Sequence, residues 1–117
     1  MIKRVNWLEV KVTNMQEATK FYRDMLGLKI KEEWKNYVIF DLPGTLTFAI
    51  MAGVKKGREE GVPNIYFAVE NLDEEYEKLK AKGVNFIKPP KEQYWGGDVA
   101  LFADPDENPF YLTQIKG

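Results

Sequence analysis

One supersecondary pattern is written twice in this chain of 117 residues, and no other feature limits its fold so strongly. The first copy opens with Trp7-Leu8-Glu9-Val10-Lys11-Val12, runs into Asn14-Met15-Gln16-Glu17 and then Phe21, Tyr22 and Gly27. The second opens with Asn64-Ile65-Tyr66-Phe67-Ala68-Val69, runs into Asn71-Leu72-Asp73-Glu74 and then Leu79 and Gly83. The copies lie about half a chain apart, so each half is one folding unit that buries its apolar face against the other. Function is expected where the halves meet.

Each copy reads as a strand followed by a helix. From Asn6 to Thr13 the aliphatic Leu8, Val10 and Val12 alternate with Trp7, Glu9 and Lys11, which is the period of two that a strand imposes. Asn14 with Glu17 three residues on satisfies two orphan amides at a helix start, and Gly27 supplies the left-handed exit. Extended segments follow at Leu28 to Trp34, Tyr37 to Leu42 and Leu46 to Met51. The second copy repeats the order: Pro63 to Val69, a helix from Asn71 to Lys82, then Val84 to Ile87 ended by Pro89-Pro90, Asp98 to Phe102 and Phe110 to Ile115. The expectation is an α+β domain of two tandem β-α-β-β-β modules whose eight strands form a curved mixed sheet around a concave ligand cavity. Module one covers residues 1–53, a charged linker 54–62, and module two 63–117, all within one domain.

Composition removes several function classes. The net charge is −1 with lysines and arginines scattered among acids, so no basic stripe exists to neutralise phosphates and nucleic acid is not an expected partner. No apolar run approaches the roughly 20 residues that span a bilayer, and the start of the chain lacks the pattern of a signal peptide, so a cytoplasmic location without membrane contact is expected. With no cysteine there is no disulfide, thiolate nucleophile or cysteine-held zinc, and with no histidine the commonest general base and metal ligand is missing.

Because Leu8, Val10 and Val12 face the first helix, Trp7 and Glu9 must face away from it. The same parity turns Ile65, Phe67 and Val69 toward the second helix and Asn64, Tyr66 and Ala68 away. In the last strand Tyr111 and Thr113 share one face, assigned to the cavity, and Phe110 and Leu112 the other; alternation admits Phe48 to the cavity as well, with a plain core role as its alternative. Trp7, Tyr66 and Tyr111 either fill the inside of the curved sheet as core or line a ligand site. Glu9 is a carboxylate in mid-strand, which must be solvated, paired with a neighbour such as Lys11, or functional as a candidate general base. Tyr94-Trp95-Gly96-Gly97 forms either a loop that closes on a small molecule or a plain surface turn. Asp104-Pro105-Asp106-Glu107-Asn108-Pro109 is a turn with structural or solvated acids.

Phe21-Tyr22 with Leu26-Gly27-Leu28, Val69-Glu70-Asn71-Leu72-Asp73 leading to Lys82-Gly83-Val84, and Trp95-Gly96-Gly97 with Phe102-Ala103-Asp104-Pro105-Asp106-Glu107-Asn108 occur in that order on the paired repeat. In these motifs the chain resembles the vicinal oxygen chelate superfamily of glyoxalase I, bleomycin-resistance proteins, fosfomycin-resistance enzymes and extradiol dioxygenases. The resemblance implies the fold, and it implies that the superfamily's metal positions fall at Trp7, Asn64 and Tyr111, with a further one between Leu46 and Ile50. An indole, a neutral amide and a phenol do not make a usual ligand set.

What the resemblance implies is therefore a metal-independent binder of the bleomycin-resistance type, without cofactor and homodimeric. It would sequester an aromatic or amphipathic ligand against Trp7, Glu9, Phe48, Asn64, Tyr66, Trp95 and Tyr111. The alternatives are a divergent lyase, isomerase or dioxygenase-like enzyme that uses Glu9 as a general base without a metal or binds a metal through unlocated carboxylates, and an interaction or regulatory module whose aromatic cup accepts a peptide or closes on itself.

Overall fold

A computed structural model of the chain describes residues 1, 3–44, 46–53, 64–93 and 97–114. The chain divides into two compact units, Met1–Lys56 and Gly57–Gly117. The expected linker lies outside the described residues. Among the described residues each unit holds four strands in one sheet and a helix, an α+β fold in which the eight expected strands are built as two four-stranded mixed sheets.

In the first unit β1 (Trp7–Val12) leads into α1 (Met15–Lys20), then β2 (Lys29–Glu33), β3 (Tyr37–Asp41) and β4 (Thr47–Ala52). The sheet order is β1-β4-β3-β2, with β1 parallel to β4 and the other pairs antiparallel. Asn14 caps α1 through its side-chain oxygen, which accepts from the Glu17 amide at 2.9 Å. Beyond Lys20 the helix widens, and the Leu26 amide reaches back five residues to Phe21 O at 3.0 Å. Gly27, at φ 78°, then turns the chain in a conformation that strains any residue bearing a Cβ. The widened turn drives Tyr22 onto the sheet, where it is fully buried against Phe40 and Phe48 at ring distances of 5.7 and 5.8 Å.

The second unit follows the same plan with β5 (Tyr66–Val69), α2 (Leu72–Ala81), β6 (Asn85–Glu92), β7 (Asp98–Ala103) and β8 (Pro109–Gln114), in the order β5-β8-β7-β6. Asn71 caps α2 by accepting from the Glu74 amide at 3.1 Å, and Gly83 leaves it at φ 96°. Its core is a cluster of rings: Phe67 stacks on Phe110 at 5.1 Å, Phe102 on Phe110 at 5.6 Å, and Tyr76 of α2 meets Phe86 edge-on at 4.6 Å.

One strand boundary departs from expectation. Pro89-Pro90 does not end β6, which runs on to Glu92. β6 is an edge strand, and its register against β7 shifts between Phe86 and Lys88 and again between Lys88 and Lys91. A missing amide is tolerated at such irregularities and along an edge, so the prolines bend the strand rather than stop it. No helix of the described residues is long and apolar enough to cross a membrane.

Candidate functional site

In each unit the helix covers one face of the sheet, and the candidate residues fall on the other. For the first unit the register sets Trp7 opposite Thr47, Glu9 opposite Ala49 and Lys11 opposite Met51, so these six share the face away from α1. Tyr37 and Ile39 of β3 continue the same rows. Trp7 is 41% exposed.

Glu9 binds its two neighbours along the strand. The Trp7 indole N–H donates to Glu9 Oε1 at 2.9 Å, and the Lys11 ammonium donates to Oε2 at 2.5 Å while lying 3.4 Å from Met51 Sδ. The Lys11 hydrogen bond holds the Glu9 carboxyl below its ordinary pKa; partial burial opposes this, and the Trp7 bond adds to it. Both consequences bear on chemistry. A carboxylate with a depressed pKa and both oxygens engaged is a weak proton acceptor, and it has little left to offer a ligand's positive charge. Its role here is to fix the indole plane of Trp7 and the head of Lys11.

In the second unit the register puts Tyr66 opposite Tyr111 and Ala68 opposite Thr113, on the face away from α2. The two tyrosine rings stack at 4.6 Å with planes 15° apart, leaving Tyr66 51% exposed. Thr113 Oγ1 donates to Asp98 O at 3.3 Å and ties β8 to β7 beneath them. Asn64 is exposed, two residues before β5.

Phe48 is corrected. It stands opposite Leu8, so it points under α1, where it is 2% exposed and packed against Tyr22 and Phe40. It belongs to the core and not to a ligand face. Trp95 lies outside the described residues, as do Tyr94 and Gly96 of the same loop. The 104–109 turn is structural: buried Asp104 accepts from the Asp106 and Asn108 amides at 2.9 and 2.8 Å through Oδ1, and from Asn108 Nδ2 at 2.8 Å through Oδ2.

At Trp7 and Tyr111, two of the positions where the resemblance places a metal, the side chains present do not offer a divalent cation its usual donors. Trp7 presents an N–H donor already directed at Glu9, and Tyr111 presents a ring face to Tyr66. Among the described residues, no three of His, Cys, Asp and Glu come together in a group able to hold a metal. The residues that sequence reasoning left out of the site are Met51 and, at the far edge of the first sheet, Glu32, Trp34 and Tyr37. Alternation along β3 and β4 carried the signal for Met51 and Tyr37 once the strand register was known.

A model of the "Glyoxalase/Bleomycin resistance protein/Dioxygenase superfamily" matches residues 4–112. The chain is 34% identical over 111 residues to "Uncharacterized protein YraH" of Bacillus subtilis, covering 83% of this chain and 87% of that one. It is 22% identical to a lactoylglutathione lyase of Schizosaccharomyces pombe, spanning 88% of this chain but 44% of the larger protein. The crystal structure of a superfamily member from Sphaerobacter thermophilus superimposes with a TM-score of 0.80 at 28% identity, over 97% of this chain and 98% of that one.

Proposed function

Since the chain belongs to the Glyoxalase/Bleomycin resistance protein/Dioxygenase superfamily, whose fold hosts several activities, we propose from its side chains that it is a metal-independent binder of an aromatic or amphipathic small molecule. The reading takes the two units as modules of one domain, active as a homodimer in the cytoplasm. Its main support is that each helix-free face carries an exposed ring held in place by a partner: Trp7 by Glu9, and Tyr66 by Tyr111. Rings fixed before binding lose little freedom when a planar ligand stacks on them, and each such contact contributes about 0.5–1.5 kcal/mol. The depressed pKa of Glu9 speaks against a general base.

A thermal-shift panel of aromatic compounds, with metal analysis of protein purified without chelators, tests the reading. A ligand at a hundredfold excess over its Kd stabilises the native state by about 2.7 kcal/mol. Shifts that vanish in Trp7→Ala or Tyr66→Ala, in protein free of bound metal, are the expected result. A panel that leaves the melting point unmoved would remove the binder.

The likeness to a lactoylglutathione lyase favours a second reading, a lyase of the same superfamily. Stoichiometric divalent metal together with formation or cleavage of lactoylglutathione would replace the first reading with this one.

A further inference from the structure

The far edge of the first sheet repeats the Trp7–Glu9 arrangement with one difference that matters. Glu32 stands opposite Ile39, Ile39 opposite Ala49 and Ala49 opposite Glu9, so the two carboxylates end one row that crosses the sheet between its edge strands. Three strand spacings put them about 14 Å apart. Trp34 lies two residues beyond Glu32, and its indole N–H donates to Glu32 Oε1 at 3.2 Å, as that of Trp7 does to Glu9 at 2.9 Å. At Glu9 the second oxygen is taken by Lys11. At Glu32 the second oxygen has no hydrogen-bond or ion-pair partner among the described residues. Between them Ala49 and Ile39 are buried, and at this spacing the two carboxylates bind no common small ion.

Beside Glu32 the rings are already arranged. Trp34 is 55% exposed and stacks on Tyr37 at 5.9 Å with planes 20° apart. The hairpin beneath is closed by the Trp34 amide, which donates to Tyr37 O at 2.9 Å. An unpaired carboxylate oxygen beside an exposed indole face is complementary to a cation that is weakly hydrated, because the oxygen supplies charge attraction and the ring supplies its negative quadrupole face. An apolar ligand would gain nothing from the carboxylate, and an anion would be repelled.

We propose that Glu32, Trp34 and Tyr37 form a binding site for a small organic ammonium ion. The site is separate from Trp7 and stands whether or not Trp7 binds an aromatic ligand. The chain's three tryptophans make it directly observable. Each indole N–H gives its own nitrogen-15 correlation signal, assigned through Trp→Phe variants, and the probe is tetramethylammonium titrated at constant ionic strength against sodium. The Trp34 signal is expected to shift saturably while that of Trp7 stays in place, and the neutral isostere tert-butanol is expected to move neither. Glu32→Gln keeps an acceptor for the indole and is expected to weaken binding at least fivefold, with the rest of the spectrum unchanged. Trp34→Phe is expected to weaken it at least threefold, read from nearby backbone amides. A Trp34 signal that ignores tetramethylammonium, an equal response to tert-butanol, or undiminished affinity in Glu32→Gln would overturn the site.

Discussion

The two units share an order of elements, a capping device and a strand register, yet they treat the same surface position in opposite ways. In the repeat Glu9 corresponds to Tyr66, and the residue opposite it is Ala49 in the first unit and Tyr111 in the second. The first unit therefore holds its exposed ring edge-on through a charged hydrogen bond, and the second holds its ring face-on through a stack. The buried sides are alike: Phe48 stands opposite Leu8, Phe110 holds the matching place one residue before Tyr111, and both rings are buried. What the helix covers is under one constraint in both copies, while the uncovered faces are free to diverge.

The strongest test of this comparison lies in the core. Phe48→Ala and Phe110→Ala each leave a cavity among rings, and each is expected to cost about 3–5 kcal/mol in chemical denaturation. Equal losses would confirm that the two positions are equivalent. A loss below about 1 kcal/mol at Phe48 would return that ring to the uncovered face.

Phe48 also marks where sequence reading stops short. Alternation along β1 and β5 was legible because each has a wholly apolar side, aliphatic in β1 and carrying Phe67 in β5, which assigned Trp7, Glu9 and Tyr66 to the faces they occupy. β4 carries Thr47, Phe48, Ala49, Ile50 and Met51, apolar on both sides, so its own pattern leaves the facing open. The repeat held the answer, since Phe110 had been turned toward the helix and Phe48 is its counterpart. Of the hydrogen bonds of Glu9 the one to Lys11 was legible as an option and the one from Trp7 was not, because which oxygen takes which neighbour depends on rotamers that no periodicity records. Glu32 and Trp34 were missed for a related reason: β2 has no aliphatic side to set its parity, and its register against β3 shifts between Ile30 and Glu32. Pro89 and Pro90 read as a stop because an edge strand is recognised only after the sheet order is known.

A smaller effect separates the uncovered faces by pH. The folded-state pKa of Glu9 lies below its unfolded value, so its bonds to Lys11 and Trp7 contribute stability that is present above the unfolded pKa and lost as pH falls through the folded one. Solvent reaches this pair, which limits the contribution to under about 1 kcal/mol. Glu9→Gln is expected to remove that part of the acid-induced loss below about pH 5, seen as a flatter fall of the denaturation midpoint. Tyr66 stands at the matching position without a carboxylate, so Tyr66→Phe is expected to leave the acid limb unchanged. A wild-type and a Glu9→Gln profile that coincide would mean the bracket around Trp7 carries no net stabilisation.

The finest distinction concerns the turns that precede β4 and β8. In the first unit the left-handed position is Gly44, at φ 110°; in the second it is Glu107, at φ 68°. A glutamate there carries the strain of an L-residue held at positive φ, about 1 kcal/mol or somewhat more, while glycine is free of it. Replacing the glutamate with glycine also raises the entropy of the unfolded chain, which offsets part of the gain. Glu107→Gly is thus expected to stabilise by about 0.5 kcal/mol, and Gly44→Ala to destabilise by about 1 kcal/mol although no atom lies within 4 Å of the added Cβ. Because that space is open, a loss at Gly44 reports backbone conformation alone. Opposite signs at the two positions would mark Glu107 as strain retained in the second copy of the repeat. A loss at both would mean that the buried Asp104 network, which places three hydrogen bonds on one carboxylate, holds the Glu107 turn in a shape that glycine loosens.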